Sequence, residues 1–333
     1  MKIIVDDKIP YIREALSGIT RDTIYIKGAE ITADDVRDAD ALIVRTRTHC
    51  NERLLGGSNV RFVATATIGI DHLDTQWLDK AGIRWANCPG CNAASVGQYL
   101  LTSLLTIKRN LGYCLENMTL GIVGFGHVGR HVKAVGEQLG MRILVNDPFL
   151  DIPGLVSLDT IRQEADVITF HVPLTRSGAH PTLHLADRDF LMGLCRKGAI
   201  VVNTSRGGII DEQALLEAMD KGIVGQAVID TWEGEPNINM ELLEKAYIAT
   251  PHIAGYSADG KATADNMVLD ALCDFFGIKT HPLVSPPPLP PDFHYTGDPL
   301  ELYDPLADSS RLKLNPQDFE EQRGNYHLRR EHC

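Results

Sequence analysis

The chain has 333 residues, enough for two domains with sizeable cores, and a formal net charge of -12. That acidic balance argues against a nucleic-acid or anionic-membrane partner, and no apolar run is long enough to span a bilayer. Asp6, Asp7 and Lys8 stand where a secretory signal would be apolar, and the seven cysteines form no disulfide framework, so a cytoplasmic location is expected.

From the N-terminus, short β-branched runs alternate with helical patterns. MKIIVD, TIYIKG, ALIVRT, RFVATAT and IRWANC read as strands, with IPYIREALSGI, ITADDVRDA, NERLLGG and IDHLDTQWLDKAG as the helical or turn segments between them. Next comes NAASVGQYLLTSLLTIKRNLGYCLEN, where Val96, Tyr99, Leu100, Leu104 and Ile107 share one helical face and predict a long connecting helix. A second series follows, with LGIVG, MRILVND, ADVITFHV, AIVVNTS and GQAVID as strands and HVGRHVKAVGEQLG and DEQALLEAMDKG as helices. Beyond Ile248 comes ATPHIAGYSADGKATADNMVLDALCDFFG, whose second half predicts an amphipathic helix. The five prolines of SPPPLPPDF then read as a stiff linker before a polar, weakly periodic tail. Strand–helix alternation of this kind makes a parallel sheet, so two series make two doubly wound α/β domains.

Gly124-Phe125-Gly126-His127-Val128-Gly129 follows one predicted strand and opens a helix. In such a turn Gly124 allows the tight bend, Gly126 admits a pyrophosphate close to the backbone, and Gly129 lets helix and strand approach. The N–H groups of His127 and Val128 would then face phosphates at the positive end of the helix. Asp147 ends the next strand, roughly twenty residues on, where an acid accepts from ribose hydroxyls and repels a 2′-phosphate. The expected cofactor is NAD.

Three further segments end predicted strands of the second series, the edge where open α/β sheets bind ligands. They place Arg206 in NTSRGG, Asp230 and Glu235 in IDTWEGEP, and His252 in TPHIAGYS. Together they supply a cation for a carboxylate or oxyanion, a histidine base and an acid to orient it. Cys88 and Cys91 have CxxC spacing, but no second pair accompanies them and no metal is expected.

SRGGIIDEQAL, DTWEGEP and PHIAGYS, in that order behind GFGHVG, resemble the D-2-hydroxyacid dehydrogenase family. The resemblance implies a Rossmann NAD-binding domain inserted into a flavodoxin-like substrate domain, with the active site in the cleft between them. Residues 1–110 would form the first part of the substrate domain, 111–251 the NAD-binding domain and 252–284 the return. A linker at 285–291 and a partial dimerisation segment at 292–333 would follow. The implied roles are a substrate clamp for Arg206, a base for His252, its orienting acid for Glu235, and a nicotinamide contact for Asp230. Val172, Thr204, Ser205, Arg206 and Gly255 would meet the cofactor, and Thr46, Thr67 and Tyr256 the substrate, a small phosphorylated hydroxy acid. A homodimer is expected, its tail ordered mainly by packing on the partner, with the arginines of LRRE reaching toward substrate across the interface. The motifs are also compatible with a sibling acting on 3-phosphoglycerate or an unphosphorylated D-2-hydroxy acid, or with a non-catalytic NAD-binding regulator.

Overall fold

The computed structural model describes residues 1–332, which divide into two compact units. The first comprises Met1–Asn92 and Ser257–Pro291. Its strands are β1 (Ile3–Asp6), β2 (Thr23–Ile26), β3 (Ala41–Val44), β4 (Phe62–Thr65) and β5 (Arg84–Ala86), all parallel. Their order, β2-β1-β3-β4-β5, is that of flavodoxin-like sheets. Successive side chains alternate between faces because a strand repeats every two residues. Ile3, Val5 and Ile43 therefore pack against Val268, Leu269 and Leu272 of helix Ala258–Phe276, while Ile4, Leu42 and Val44 pack with Leu78 on the other side. Burial on both faces explains why β1, β3 and β4 read as unbroken apolar runs.

The second unit comprises Ala93–Tyr256 and the tail from Asp292. Its six parallel strands are β6 (Thr119–Val123), β7 (Arg142–Asn146), β8 (Val167–Phe170), β9 (Ala199–Asn203), β10 (Val224–Ile229) and β11 (Ile248–Ala249). The order is β11-β10-β9-β8-β6-β7, with a single parallel bridge from Val145 to Leu155 extending the sheet past β7. With that bridge counted as the outermost position, this is the Rossmann order followed by one more strand, and the order reverses between β6 and β8. Helix Ala93–Leu111 belongs here because Tyr99, Leu100, Leu104 and Ile107 are fully buried in a core with Leu120, Ile122 and Val132. Each such side chain contributes about 1.5–3 kcal/mol by leaving water. The expected boundaries at Leu111 and Pro251 thus fall inside this unit.

The tail departs from expectation. It is ordered by its own chain, through short helices that each insert an anchor. Tyr303 joins the core around Tyr99, while Leu312 and Phe319, both fully buried, join the core on the opposite face of the sheet. Ser309 Oγ accepts from the N–H of Ala249, closing the edge that β11 would otherwise leave open. Among the described residues no helix is long and apolar enough to cross a membrane.

Candidate active site

The cradle is built as its glycines require. Gly124 has φ 94°, and a Cβ there would stand 2.7 Å from the carbonyl oxygen of His171. A Cβ at Gly129 would stand 2.2 Å from the oxygen of Gly124, so only glycine lets the helix start this close to the strand. At Gly126 a Cβ would meet nothing within 4 Å, which leaves the backbone open to a ligand. Gly126 caps helix His127–Gln138 without any side-chain bond to the first-turn amides. The N–H groups opening this twelve-residue helix are therefore available to phosphate oxygens at the positive helix end.

Asp147 stands beside this turn. Its Oδ2 accepts from Phe125 N at 2.9 Å and its Oδ1 from Phe149 N at 3.0 Å. Two bonds fix the carboxylate and leave lone pairs for further donors. Gly124, Gly126, Asp147 and Val172 line a cavity of about 700 Å³, within the usual range for small-molecule sites. The residues present fit an adenine dinucleotide: a bare-backbone approach, free helix-end donors, and an acid where a ribose would lie.

At the end of β9, Asn203 organises the next loop. Its Nδ2 donates to the carbonyl of Arg206, and its Oδ1 accepts from the N–H and hydroxyl of Ser205. Gly207 touches the carbonyl of Trp232 so closely that a Cβ would stand 1.8 Å away. Thr204 Oγ1 lies 3.5 Å from Nδ1 of His171, a ring whose burial pushes its pKa down to about 3, so that it is neutral at neutral pH. Arg206 is exposed, and its guanidinium donates to the carbonyl of Ser205 and pairs with no carboxylate among the described residues. It lines a pocket of about 270 Å³ together with Arg176, Glu235 and His252.

The acid and the base are in contact. Glu235 Oε2 lies 2.9 Å from His252 Nδ1, and Oε1 accepts from Trp232 N at 2.9 Å. Burial works to raise the pKa of Glu235, but its bond to His252, the charge of that ring and the Trp232 amide together leave it below its ordinary value. With Nδ1 directed at the carboxylate, Nε2 is the ring nitrogen left for a substrate proton.

Asp230 is 1% exposed, and its carboxylate is engaged by the loop after β11. Oδ1 accepts from Thr250 Oγ1 at 2.6 Å and Ile253 N at 2.7 Å, and Oδ2 from Ala254 N at 3.0 Å. Burial raises its pKa, with the charge of His252 acting in the opposite direction. Gly255 and Tyr256 continue the same loop, both half-buried.

Two tail residues meet this loop without any signal in the local sequence. Arg329, 6% exposed, donates to the carbonyls of Ser95, Ile253, Ala254 and Tyr256 and to Gln98 Oε1. Arg323 stands 3.8 Å from Oε2 of Glu235. The reading of LRRE as an arm reaching substrate across a subunit interface is corrected for Arg329, which is an internal staple. In the first unit, Thr46 is exposed just past β3, and Thr67 past β4 donates its hydroxyl to Gly69 O while bonding Thr65 Oγ1.

A dinucleotide cradle at one strand end and a histidine–carboxylate couple with an unpaired arginine at the others define an NAD-dependent oxidoreductase of the 2-hydroxyacid type. The comparisons agree: residues 99–254 match the NAD-binding domain of D-isomer specific 2-hydroxyacid dehydrogenases. The chain is 52% identical to the erythronate-4-phosphate dehydrogenase of Bacteroides thetaiotaomicron, over 99% of this chain and 97% of that one. It is 41% identical to the enzyme of that name from Escherichia coli, over 99% and 92%. Among solved structures, NAD-bound 3-phosphoglycerate dehydrogenase of Entamoeba histolytica superposes with a TM-score of 0.69 at 28% identity, covering 87% of this chain and 99% of that one. The chain belongs to the erythronate-4-phosphate dehydrogenase family.

Proposed function

We propose that this protein oxidises 4-phospho-D-erythronate at C2 to 3-hydroxy-2-oxo-4-phosphooxybutanoate with NAD, a step of pyridoxal 5′-phosphate synthesis. The observation that carries the chemistry is the 2.9 Å contact between Glu235 and His252. The substrate is drawn from the relatives that match nearly the whole chain. NAD, when bound, supplies the hydride acceptor. Gly124, Gly126, His127, Val128 and Gly129 hold its pyrophosphate, Asp147 its ribose, and Val172, Thr204, Ser205 and Gly255 the remainder. Arg206 binds the substrate carboxylate and C2 oxygen, for which a planar fork is better suited than an ammonium. His252 removes the hydroxyl proton through Nε2, and Glu235 stabilises the imidazolium that results. Asp230 fixes the histidine loop and would meet the nicotinamide beside it. Tyr256, Thr46 and Thr67 are proposed substrate contacts.

The test is to follow NADH absorbance with 4-phospho-D-erythronate, 3-phosphoglycerate and D-lactate side by side. Turnover of the first with a kcat/KM at least tenfold above the others supports the reading. Preference for 3-phosphoglycerate assigns the chain to that sibling activity, and no turnover with any of them supports a binding role. A cytoplasmic homodimer completes the proposal, and light scattering of the intact chain measures the assembly.

A further inference from the structure

The tail is more than a covering for β11. Arg329 is buried with its guanidinium spent on six acceptors, three of them carbonyls of the loop that carries His252. Six hydrogen bonds are more than burying a tail requires, and an arginine fork placed this way fixes direction as well as contact. The helix just before it, Phe319–Gly324, is anchored by Phe319 in the sheet core and presents Arg323 to the active pair. Arg323 lies 3.8 Å from Glu235 Oε2 and bonds Tyr256, while its Nε is buried without a partner. Its own acid, Glu320, is no closer, at 3.9 Å.

We propose that Arg323 is a positioning residue for the dehydrogenase reaction, delivered by the tail of the same chain to hold Glu235 against His252. The inference rests on the function proposed above and deepens it. The tail then belongs to the active site of its own subunit, and Arg329 keeps the helix and the loop in register. Other charged groups face the pair as well. Asp230 lies near the ring with Arg329 of the tail close to it, Glu212 lies near Glu235, and Glu233, Arg206 and Arg176 line the adjoining pocket. Arg323 is the tail cation that stands nearest the Glu235 carboxylate.

The experiment uses the full chain with Arg323→Met, which keeps the alkyl packing, and Arg323→Lys, which keeps the charge. The Glu235 carboxyl is titrated by 13C NMR, and the pH profile of turnover is recorded with NAD and 4-phospho-D-erythronate. For Arg323→Met the Glu235 titration is expected to rise by at least about half a pH unit, since a neighbouring opposite charge typically moves a carboxyl by a unit or more. Turnover should fall about tenfold with the KM for NAD within twofold, and Arg323→Lys should recover most of both. A Glu235 titration and pH profile unchanged in Arg323→Met overturns the proposal. So does a loss in Arg323→Lys equal to that in Arg323→Met, which marks a packing role. If Arg323→Met fails to fold, the lysine variant decides alone: wild-type titration and profile support the charge role, and a shifted pair overturns it. Because the titration needs no substrate, absence of turnover in the wild type would refute the proposed function and leave this test standing.

Discussion

Glu235→Gln tests the chemistry most sharply, because the side chain serves two donors at once. Oε1 accepts from the Trp232 amide and Oε2 from His252 Nδ1, both at 2.9 Å. Glutamine has one oxygen for these two N–H groups. If its NH₂ turns to Trp232, a buried amide loses its acceptor at a cost of about 1–3 kcal/mol. If the NH₂ turns to His252, Nδ1 must become the acceptor, the ring proton moves to Nε2, and the base is lost. Either way the charge that steadies the imidazolium disappears, worth about 1.5–3 kcal/mol as a charge-assisted bond, or roughly 10- to 150-fold in rate. With the wrong tautomer added, the loss reaches ~10⁴-fold, as for the analogous change in a serine-protease triad. We therefore expect kcat to fall 10²- to 10⁴-fold with the KM for NAD nearly unchanged, measured by NADH formation alongside a thermal melt. A kcat within threefold of wild type and an unchanged melting temperature would refute the assignment of Glu235 as orienting acid.

His252→Ala should lose ~10²–10⁴-fold in turnover, as expected for removal of a positioned base, while NADH affinity measured by fluorescence stays within about twofold. Asp147→Ala should weaken NAD and narrow its preference over NADP about tenfold or more, since it removes the acceptor, the charge and the bond to the Phe125 amide; unaltered discrimination in steady-state kinetics would count against it. Asp265 is 1% exposed, neither of its carboxyl oxygens has a hydrogen-bond partner, and burial pushes its pKa up to about 8. A carboxyl raised in the folded state binds its proton more tightly there than in the unfolded chain, so stability should fall as pH rises from about 4 toward 8. Asp265→Asn should flatten that decline and raise the melting temperature at pH 8.5; a melting curve with the wild-type pH dependence would show that Asp265 is not its source.

Much of this was legible in the sequence because the signals are local. A glycine that no other residue can replace, such as Gly129 against Gly124, marks its own position, and alternating β-branched runs mark buried strands. Arg206, Glu235 and His252 were readable because each lies in the loop that follows a strand, so the sheet itself brings them together. What could not be read depends on contacts between distant residues. Tyr303, Leu312 and Phe319 have no common period because each anchors a separate short segment, so the tail looked too polar to order itself. Arg329 meets a loop more than seventy positions earlier, and nothing in LRRE points there. Asp230 has a part the sequence does not announce: its three acceptor bonds tie down the loop after β11, all to residues at least twenty positions later. Helix Ala93–Leu111 offers an apolar face that either unit could have covered.

The loop that carries the base also shows why two buried charges stand next to it. His252 has φ 57°, in the left-handed region, where a non-glycine residue costs on the order of 1 kcal/mol or more and persists only if its surroundings over-determine it. Here they do so from both sides of the Ile253–Ala254 peptide and from one side of its neighbours. Asp230 takes the N–H groups of Ile253 and Ala254, and Arg329 takes the carbonyls of Ile253, Ala254 and Tyr256. Either ion alone would be expensive in this interior, and each lies close enough to the other to offset part of that cost. An anion gripping the N–H and a cation gripping the C=O of the Ile253–Ala254 peptide resist its rotation in both directions, which a single clamp cannot do, and the peptides around it are each held at one end. The imidazole is thereby aimed by backbone fixed at both ends before any substrate arrives, the preorganisation that proton transfer at a fixed distance demands.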